Sequence, residues 1–213
     1  MFKKINFLYV GILVMVIFGI GISVGLNYDT MRKQVIEKET KLFNAQIEDF
    51  IVTNEIIREL ASKECKLIEP YLVDIARQSE ELGNSLQNFE NKGIVRGEDY
   101  EMLKNSYFLN EIHYWMTIEN YKQCNPEITT ILFFYGKNDD SIKQGFALTE
   151  LRKENIGKVF VFNFDIDKID TNAVRVLTSI YGIKQSPSLV INSKNLSTDF
   201  VSLDSLRNIT KLE

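Results

Sequence analysis

The sequence predicts an α/β domain in its C-terminal part, preceded by a helical segment and by one N-terminal transmembrane helix. Three observations lead to this fold class. An uncharged apolar run lies near the N-terminus, and apolar residues at helical spacing follow it. Short apolar runs then alternate with helical segments to the end of the chain. The predicted divisions are a cytoplasmic tail (1–6), a transmembrane helix (7–26), a helical stalk (29–123) and the α/β domain (124–213).

Composition excludes several classes of function. The net charge is -4 and charges of both signs are spread along the chain, so the basic patch of a nucleic-acid-binding protein is missing. One histidine and two cysteines cannot supply a four-ligand zinc cage of those residue types. We therefore expect no metal site and no cofactor. Hydrophobic residues make up 45 % of the chain, which is enough for the soluble part to fold.

The predicted membrane anchor runs from Phe7 to Leu26 without a charge. At 1.5 Å per residue it spans roughly 30 Å, the thickness of the hydrocarbon core of a bilayer. Tyr9 and Tyr28 lie near its ends, where amphipathic rings favour the interface. A cleavable signal peptide is the alternative, but its apolar region is normally shorter. No alanine occurs before Ala45 to form an A-x-A cleavage site, so the sequence favours an uncleaved signal anchor.

The flanking charges orient this helix. Lys3 and Lys4 lie on the short N-terminal side, while Arg32 and Lys33 lie beyond the other end, so the charge difference alone is small. The very short tail favours an N-terminus inside the cell. The prediction is a single-pass protein of the cell membrane whose C-terminal domain is extracytoplasmic.

A heptad stripe follows the anchor. Apolar residues recur at seven-residue steps, and a second seam fills the alternate positions: Ile36, Phe43, Phe50 and Ile57, with Ile47, Asn54 and Ala61. One interpretation is a membrane-proximal coiled coil that makes a homodimer. The favoured one is an intramolecular helix that packs on its neighbours, because two more helices follow closely. Pro70 suits the first turn of the second helix, Lys92-Gly93 its end, and Gly97 the start of the third.

The pattern changes at the C-terminal domain. Short runs rich in β-branched and aromatic residues alternate with helices in the order β-α-β-α-β-β-α. The predicted strands are 128–135, 158–164, 188–192 and 199–201, and the predicted helices are 141–155, 171–181 and 202–210. Phe146, Leu148 and Leu151 are expected to point inward, and 193–197 to form a hairpin turn. A short crossover makes the first two strands parallel, whereas the tight turn before the last strand makes the final pair antiparallel. The sheet is therefore mixed, with helices on both faces.

The order of elements and several local motifs resemble the thioredoxin family. The segment 181–190, YGIKQSPSLV, is similar to the family's G-[IV]-x3-P-T-[LIV] motif. In that family the proline follows a cis peptide bond and opens a strand beside the active site. The resemblance covers about the last 85 residues, and it implies that Ser186, Pro187 and Ser188 line a groove.

Thioredoxins act through C-x-x-C at the turn after the first strand, where a helix N-terminus activates the attacking thiol. The corresponding turn places Asn138 and Ser141 at the two cysteine positions, with Asp139 and Asp140 between them. An amide or an unactivated hydroxyl cannot replace a thiolate in this exchange. The domain is therefore expected to be redox-inactive at a degenerate active-site turn, and no catalytic residue is assigned.

Cys65 and Cys124 are 59 positions apart and form no close-spaced redox pair. Cys124 precedes the first strand, whereas the turn follows that strand, roughly 26 Å away at 3.3 Å per residue. A structural disulfide that joins the helical part to the sheet suits them, and it fits an oxidising compartment. The alternative is two unpaired buried thiols.

Two pairs of aspartates stand at predicted strand ends: Asp139 with Asp140, and Asp165 with Asp167. Carboxylates in such positions bind cations in some proteins, but they more often cap helices and solvate turns. The sequence favours the capping role.

The sequence leaves three hypotheses for function. The first is a membrane-anchored, redox-inactive binding or scaffold module whose groove beside Pro187 takes a protein or extended peptide partner. The second is a thiol-disulfide oxidoreductase, which is either degenerate or uses Cys65 and Cys124. The third is a membrane-proximal coiled-coil dimer with the C-terminal domain as a structural cap.

Overall fold

The computed structural model describes residues 11–23, 52–53, 55–56, 65–93, 95–168 and 171–210. The chain divides into two units, Met1–Ile51 and Val52–Glu213. In the first unit the described residues form one helix, α1 (residues 11–23), whose side chains are all exposed. The predicted transmembrane segment extends past α1 at both ends, into residues outside the described ones. Within the described ranges, no helix has both the length and the apolar character needed to cross a membrane.

Among its described residues, the second unit contains a pair of long helices followed by a four-stranded sheet and three shorter helices. Its main elements are α2 (Ile68–Asn91), α3 (Glu98–Tyr121), β1 (Thr129–Tyr135), α4 (Asp139–Glu154), β2 (Val159–Asp165), α5 (Asn172–Ile180), β3 (Ser188–Ile191), β4 (Asn195–Ser197) and α6 (Leu203–Thr210). Short 3₁₀ turns lie at Cys65–Leu67 and Ile166–Lys168. The predicted order β-α-β-α-β-β-α is present from β1 to α6. The heptad stripe falls outside the described residues.

The sheet has the strand order β2-β1-β3-β4. β1 pairs with β2 in parallel and with β3 antiparallel, and β3 pairs antiparallel with β4. The central strand β1 is buried along both faces, which explains its almost unbroken apolar sequence. A mixed sheet of this kind is the one that the sequence predicts.

The last strand lies earlier than predicted. We expected a turn over 193–197 and a strand near 199–201, but β4 occupies Asn195–Ser197. Asn192 and Ser193 have φ angles of 51° and 57°, and the Lys194 N–H donates to the Ile191 carbonyl at 3.2 Å. Two consecutive positive φ angles reverse the chain within two residues, so the partner strand begins at once.

Helices cover both faces of the sheet. On one face, side chains of α3 and α5 pack against β1, β2 and β3: Phe108, Ile118, Leu132, Phe134, Phe162, Phe164, Val174, Leu177 and Val190. On the other, side chains of α4 and α6 pack against the same three strands: Leu148, Leu151, Leu206, Ile131, Phe133, Val159, Leu189 and Ile191. The long helix α3 therefore shares a hydrophobic core with the sheet.

The prediction that Phe146 points inward is wrong. Leu148 and Leu151 are buried, whereas Phe146 is 71 % exposed. At 100° per residue, Phe146 lies about 200° around the helix from Leu148, so one face cannot hold both side chains.

Candidate functional site

Three loops meet at one edge of the sheet, where the parallel strands β1 and β2 end and β3 begins. They are the turn 136–138, the loop 182–187 and the loop 198–202. The carboxyl-terminal edge of parallel strands is where α/β proteins most often place a binding site. The residues that the sequence singled out at 138–141 and 186–188 all lie here.

Asn138 is the N-cap of α4. Its backbone is extended (φ -139°, ψ 159°), and its side-chain Oδ1 accepts a hydrogen bond from the Ser141 N–H at 2.7 Å. Asp139 and Asp140 occupy the first turn and are exposed, where carboxylates favour the positive end of the helix. Asp140 also accepts a hydrogen bond from Lys143 at 3.0 Å, which raises the pKa of that exposed lysine.

The Asn138 amide crosses to the loop that carries Pro187. Its Nδ2 donates to Ser186 Oγ at 2.7 Å and to the Ser186 carbonyl at 3.2 Å. The Ser186–Pro187 peptide bond is cis, and Pro187 is buried. Ser188 is also buried, and its Oγ donates to the Gln185 carbonyl at 2.7 Å. Residues 138 and 186–188 are thus brought together, 48 positions apart at the Asn138–Ser186 contact.

Gly136 lies next to this contact, and no sequence pattern singles it out. A Cβ atom at this position would collide with Ser186 Oγ and would stand 3.2 Å from both carboxylate oxygens of Asp167. The neighbouring Lys137 N–H donates to Asp167 Oδ2 at 2.8 Å, and the Gly136 N–H donates to Ser141 Oγ at 3.1 Å. The turn therefore needs glycine because two side chains fill the space beside it.

Two glutamine side chains hold the loop 198–202, one from the loop 182–187 and one from α4. Gln185 Nε2 donates to the Thr198 carbonyl at 2.7 Å. The buried Gln144 of α4 accepts from the Val201 N–H at 2.7 Å and donates to the Val201 carbonyl at 3.2 Å. Between these ties, Phe200 is 42 % exposed. Gln144 stands four residues before the buried Leu148, on the same face of α4. A polar residue at such an inward position was the sequence signal that could have indicated these two hydrogen bonds.

The four aspartates do not make a metal site. Asp165 is buried and contacts Lys104 of α3, and its Oδ1 accepts from the Asp167 N–H at 2.9 Å. Asp139 and Asp140 are exposed at the start of α4. Among the described residues, no three side chains of the metal-binding types come together.

The two cysteines lie at the opposite edge of the sheet. Cys65 stands just before α2 and Cys124 follows α3, and the structure joins them in a disulfide with a Cα–Cα distance of 5.6 Å. Cys124 packs beside Ile68, and it precedes the first residue of β1. The sulfur atoms are thus separated from Asn138 by the length of that strand.

This arrangement supplies polar groups and main chain but no activated nucleophile. The Ser186 hydroxyl is hydrogen-bonded to an amide, which cannot take its proton, and the Ser141 hydroxyl accepts from a backbone N–H. Burial raises the pKa of the Tyr135 phenol at the end of β1, so it stays protonated. The groups that this edge of the sheet presents are therefore hydrogen-bond donors and acceptors.

Neither a family model nor a curated protein sequence matches the chain. Among solved structures, it is similar to thioredoxin-2 of a malaria parasite, described as a component of the protein secretion machinery (20 % identity, TM-score 0.35, 40 % of this chain and 84 % of that one). It is also similar to chloroplastic thioredoxin z (18 %, TM-score 0.35, 41 % and 80 %). A third is the germline-specific thioredoxin Deadhead of Drosophila melanogaster (19 %, TM-score 0.33, 46 % and 94 %).

Likeness at these identities carries no conclusion about activity. The strand order, the strand directions and the helices on both faces are this chain's own features. By these features, residues 129–210 have a thioredoxin-like fold.

Proposed function

We propose that this protein is a single-pass, membrane-anchored binding module whose extracytoplasmic thioredoxin-like domain holds an extended protein segment and does not exchange disulfides. The groove lies beside Pro187 and is bordered by Asn138 and Ser186, which are hydrogen-bonded to each other. The partner is a protein or peptide in extended conformation.

The observation that carries this proposal is the hydrogen bond between the Asn138 amide and Ser186. It spans the place where the resemblance to thioredoxins implies a reactive thiol. The only two cysteines of the chain are bonded to each other at the other edge of the sheet. Thiol exchange needs a thiolate at the point of contact, and this groove presents an amide and a hydroxyl.

Two features favour an extended segment as the ligand. The chain enters the groove at Ser186 and continues directly into β3, so a peptide beside it could pair through main-chain hydrogen bonds. Exposed apolar side chains stand on the flanking elements, Ile142 in the first turn of α4 and Phe200 in the loop 198–202. Apolar pockets beside a main-chain pairing site are the usual source of side-chain preference in this mode of recognition.

The membrane part of the proposal depends on the sequence. Twenty residues without a charge would cross a bilayer, and the short N-terminal tail with Lys3 and Lys4 favours an inside N-terminus. A disulfide between Cys65 and Cys124 suits the oxidising side of the membrane. Protease protection of the full chain in sealed, right-side-out vesicles tests this orientation. Protease added outside these vesicles should remove the C-terminal domain only if that domain is extracytoplasmic.

The groove is tested with the full-length protein in detergent and a fluorescently labelled, permanently unfolded polypeptide. Asn138→Ala removes both hydrogen bonds to Ser186 and the N-cap bond from the Ser141 N–H. We expect binding to weaken by about tenfold, because about 1.4 kcal/mol lies within the range of one or two ordinary hydrogen bonds that hold the groove in shape. Asn155→Ala is the matched control, because Asn155 is the C-cap of the same helix and its Nδ2 donates to the Leu151 carbonyl at 2.9 Å. This control should leave binding unchanged.

Insulin reduction by the same protein tests the absence of thiol exchange. We expect no turnover. Insulin reduction that disappears in Cys124→Ser would overturn the proposal of a binding module and would favour an oxidoreductase. A dimeric mass from light scattering, measured without added polypeptide, would favour the coiled-coil alternative.

A further inference from the structure

α3 buries a lysine against the end of β2. Lys104 is 3 % exposed at its side chain, and its Nζ contacts the Asp165 carboxylate, which is 8 % exposed. The ammonium also lies 5.7 Å and 5.6 Å from the ring centroids of Tyr100 and Phe108, one helical turn to either side. Two aromatic rings and one carboxylate therefore fix the position of this cation.

The same carboxylate continues toward the groove. Asp165 Oδ1 accepts from the Asp167 N–H at 2.9 Å, and Asp167 Oδ2 accepts from the Lys137 N–H at 2.8 Å. Lys137 directly precedes Asn138, whose side chain makes the contact with Ser186. Three successive contacts therefore connect a buried helix cation to the turn that forms one wall of the groove.

We propose that Lys104 is a positioning residue of this groove, which α3 holds in shape through Asp165 and Asp167. What the groove binds rests on the proposed function above, whereas the connection itself does not. The long helix is then part of the binding site although none of its residues lines the groove, and any event that moves α3 would alter the groove.

The charge of Lys104 is the essential property. A buried carboxylate without a cation is strongly unfavourable, so Asp165 would turn toward water if the ammonium were removed. This movement would take the acceptor away from the Asp167 N–H, and the turn at 165–167 would loosen its hold on Lys137. The variant Lys104→Met keeps much of the side-chain volume between the two rings. A change in the turn would therefore come from the lost charge and not from lost packing.

The test follows the hydrogen exchange of the Lys137 amide in the full-length protein, relative to the core amide of Ile131. We expect Lys104→Met to raise this ratio by about tenfold, as for the loss of one hydrogen bond to a charged group. Lys122→Met is the matched control, because Lys122 follows the same helix and pairs with Glu119 at 2.7 Å, but at the other edge of the sheet. It should leave the ratio unchanged.

A second variant, Lys104→Met with Asp165→Asn, removes both charges and leaves an amide oxygen to accept from the Asp167 N–H. We expect this double variant to fold and to recover the protection of the Lys137 amide. This expectation holds even if Lys104→Met alone does not fold. An unchanged ratio in Lys104→Met, or a double variant without protection, would overturn the proposal.

Binding of the unfolded polypeptide is measured on the same variants and should fall and recover with the protection of Lys137. If the wild type binds no polypeptide, the proposed function fails while the exchange result still decides the role of Lys104.

Discussion

Glu111 gives the sharpest test of the energetics of this fold. Its carboxylate is buried where α2, α3 and β2 meet, and it accepts hydrogen bonds from the Ser79 hydroxyl and from the Asn163 N–H, the latter at 3.1 Å. The Arg152 guanidinium lowers the pKa of this carboxyl through its charge, but by less than the Ser79 hydroxyl, the Asn163 N–H or the Tyr107 phenol does through a hydrogen bond. Burial raises its pKa from the ordinary 4.5 to about 7, against the opposing effect of these donors.

The sign of the pH dependence follows from this raised pKa. Between pH 4.5 and about 7 the folded protein keeps a proton on Glu111 that the unfolded chain has already released. The free energy of unfolding should therefore fall as the pH rises through this window. A difference of about 2.5 pH units at 1.36 kcal/mol each corresponds to roughly 3 kcal/mol.

The assay compares the wild type with Glu111→Gln by urea unfolding from pH 4 to pH 8. Trp115 of α3 is the only tryptophan of the chain and packs against the core, so its fluorescence reports unfolding. Burial lowers the pKa of His113 to about 3, which adds stability as the pH rises toward 6.5 in both proteins and cancels in the difference. As the pH rises from 4 to 8, the free energy of unfolding of the wild type minus that of Glu111→Gln should fall by about 3 kcal/mol.

A control and a refutation complete the test. Glu150→Gln changes an exposed glutamate of α4 and should leave the pH dependence of the wild type unaltered. A difference between wild type and Glu111→Gln that stays flat, or that rises with pH, would refute the reasoning. A rise would mean that the hydrogen-bond donors outweigh burial and hold Glu111 ionised.

Three further predictions concern stability. Gly136→Ala should destabilise the fold by about 1–3 kcal/mol in urea unfolding, because the new methyl group collides with the side chains beside it. Replacing Cys65 and Cys124 by serine should cost about 4 kcal/mol on the chain-entropy estimate for a 59-residue loop; thiol titration of the native wild type should find no free thiol. Phe146→Ser should change the free energy of unfolding by less than about 0.5 kcal/mol, whereas Leu151→Ala should cost about 2–5 kcal/mol.

The sequence is most informative where the chain repeats a simple physical pattern. The apolar run of β1 predicts a strand buried on both faces, and the short crossover through α4 predicts its parallel pairing with β2. Thr171 is the N-cap of α5, a position that favours threonine, and its side chain accepts a hydrogen bond from the Val174 N–H at 3.4 Å. These elements depend on neighbours in sequence, so local patterns suffice to find them.

Contacts between distant residues were missed for the opposite reason. The position of β4 depends on two left-handed residues, Asn192 and Ser193, which local composition only suggests. The clash at Gly136 exists only once Ser186 has been folded over it from 50 positions away. The partner of Asp165 was likewise hidden, because nothing local shows which carboxylate Lys104 meets.

A signal for such a partner was nevertheless present in α3. Tyr100, Lys104, Phe108 and Glu111 follow one another at steps of four, four and three, which places two charged residues on the stripe that the aromatic residues bury. Buried charges are nearly always paired or hydrogen-bonded. The spacing thus predicts that both residues have polar partners, although only the folded structure identifies them as Asp165, Ser79 and the main chain of Asn163.

The bond from Asn163 to Glu111 also bears on self-association. β2 is an outer strand of the sheet, and exposed outer strands can pair with strands of other molecules and begin aggregation. Here an outward N–H in the middle of β2 is already bound to a carboxylate of α3. A foreign strand would have to displace that carboxylate before it could extend the sheet on this side, so the long helix protects the β2 edge against pairing with another molecule.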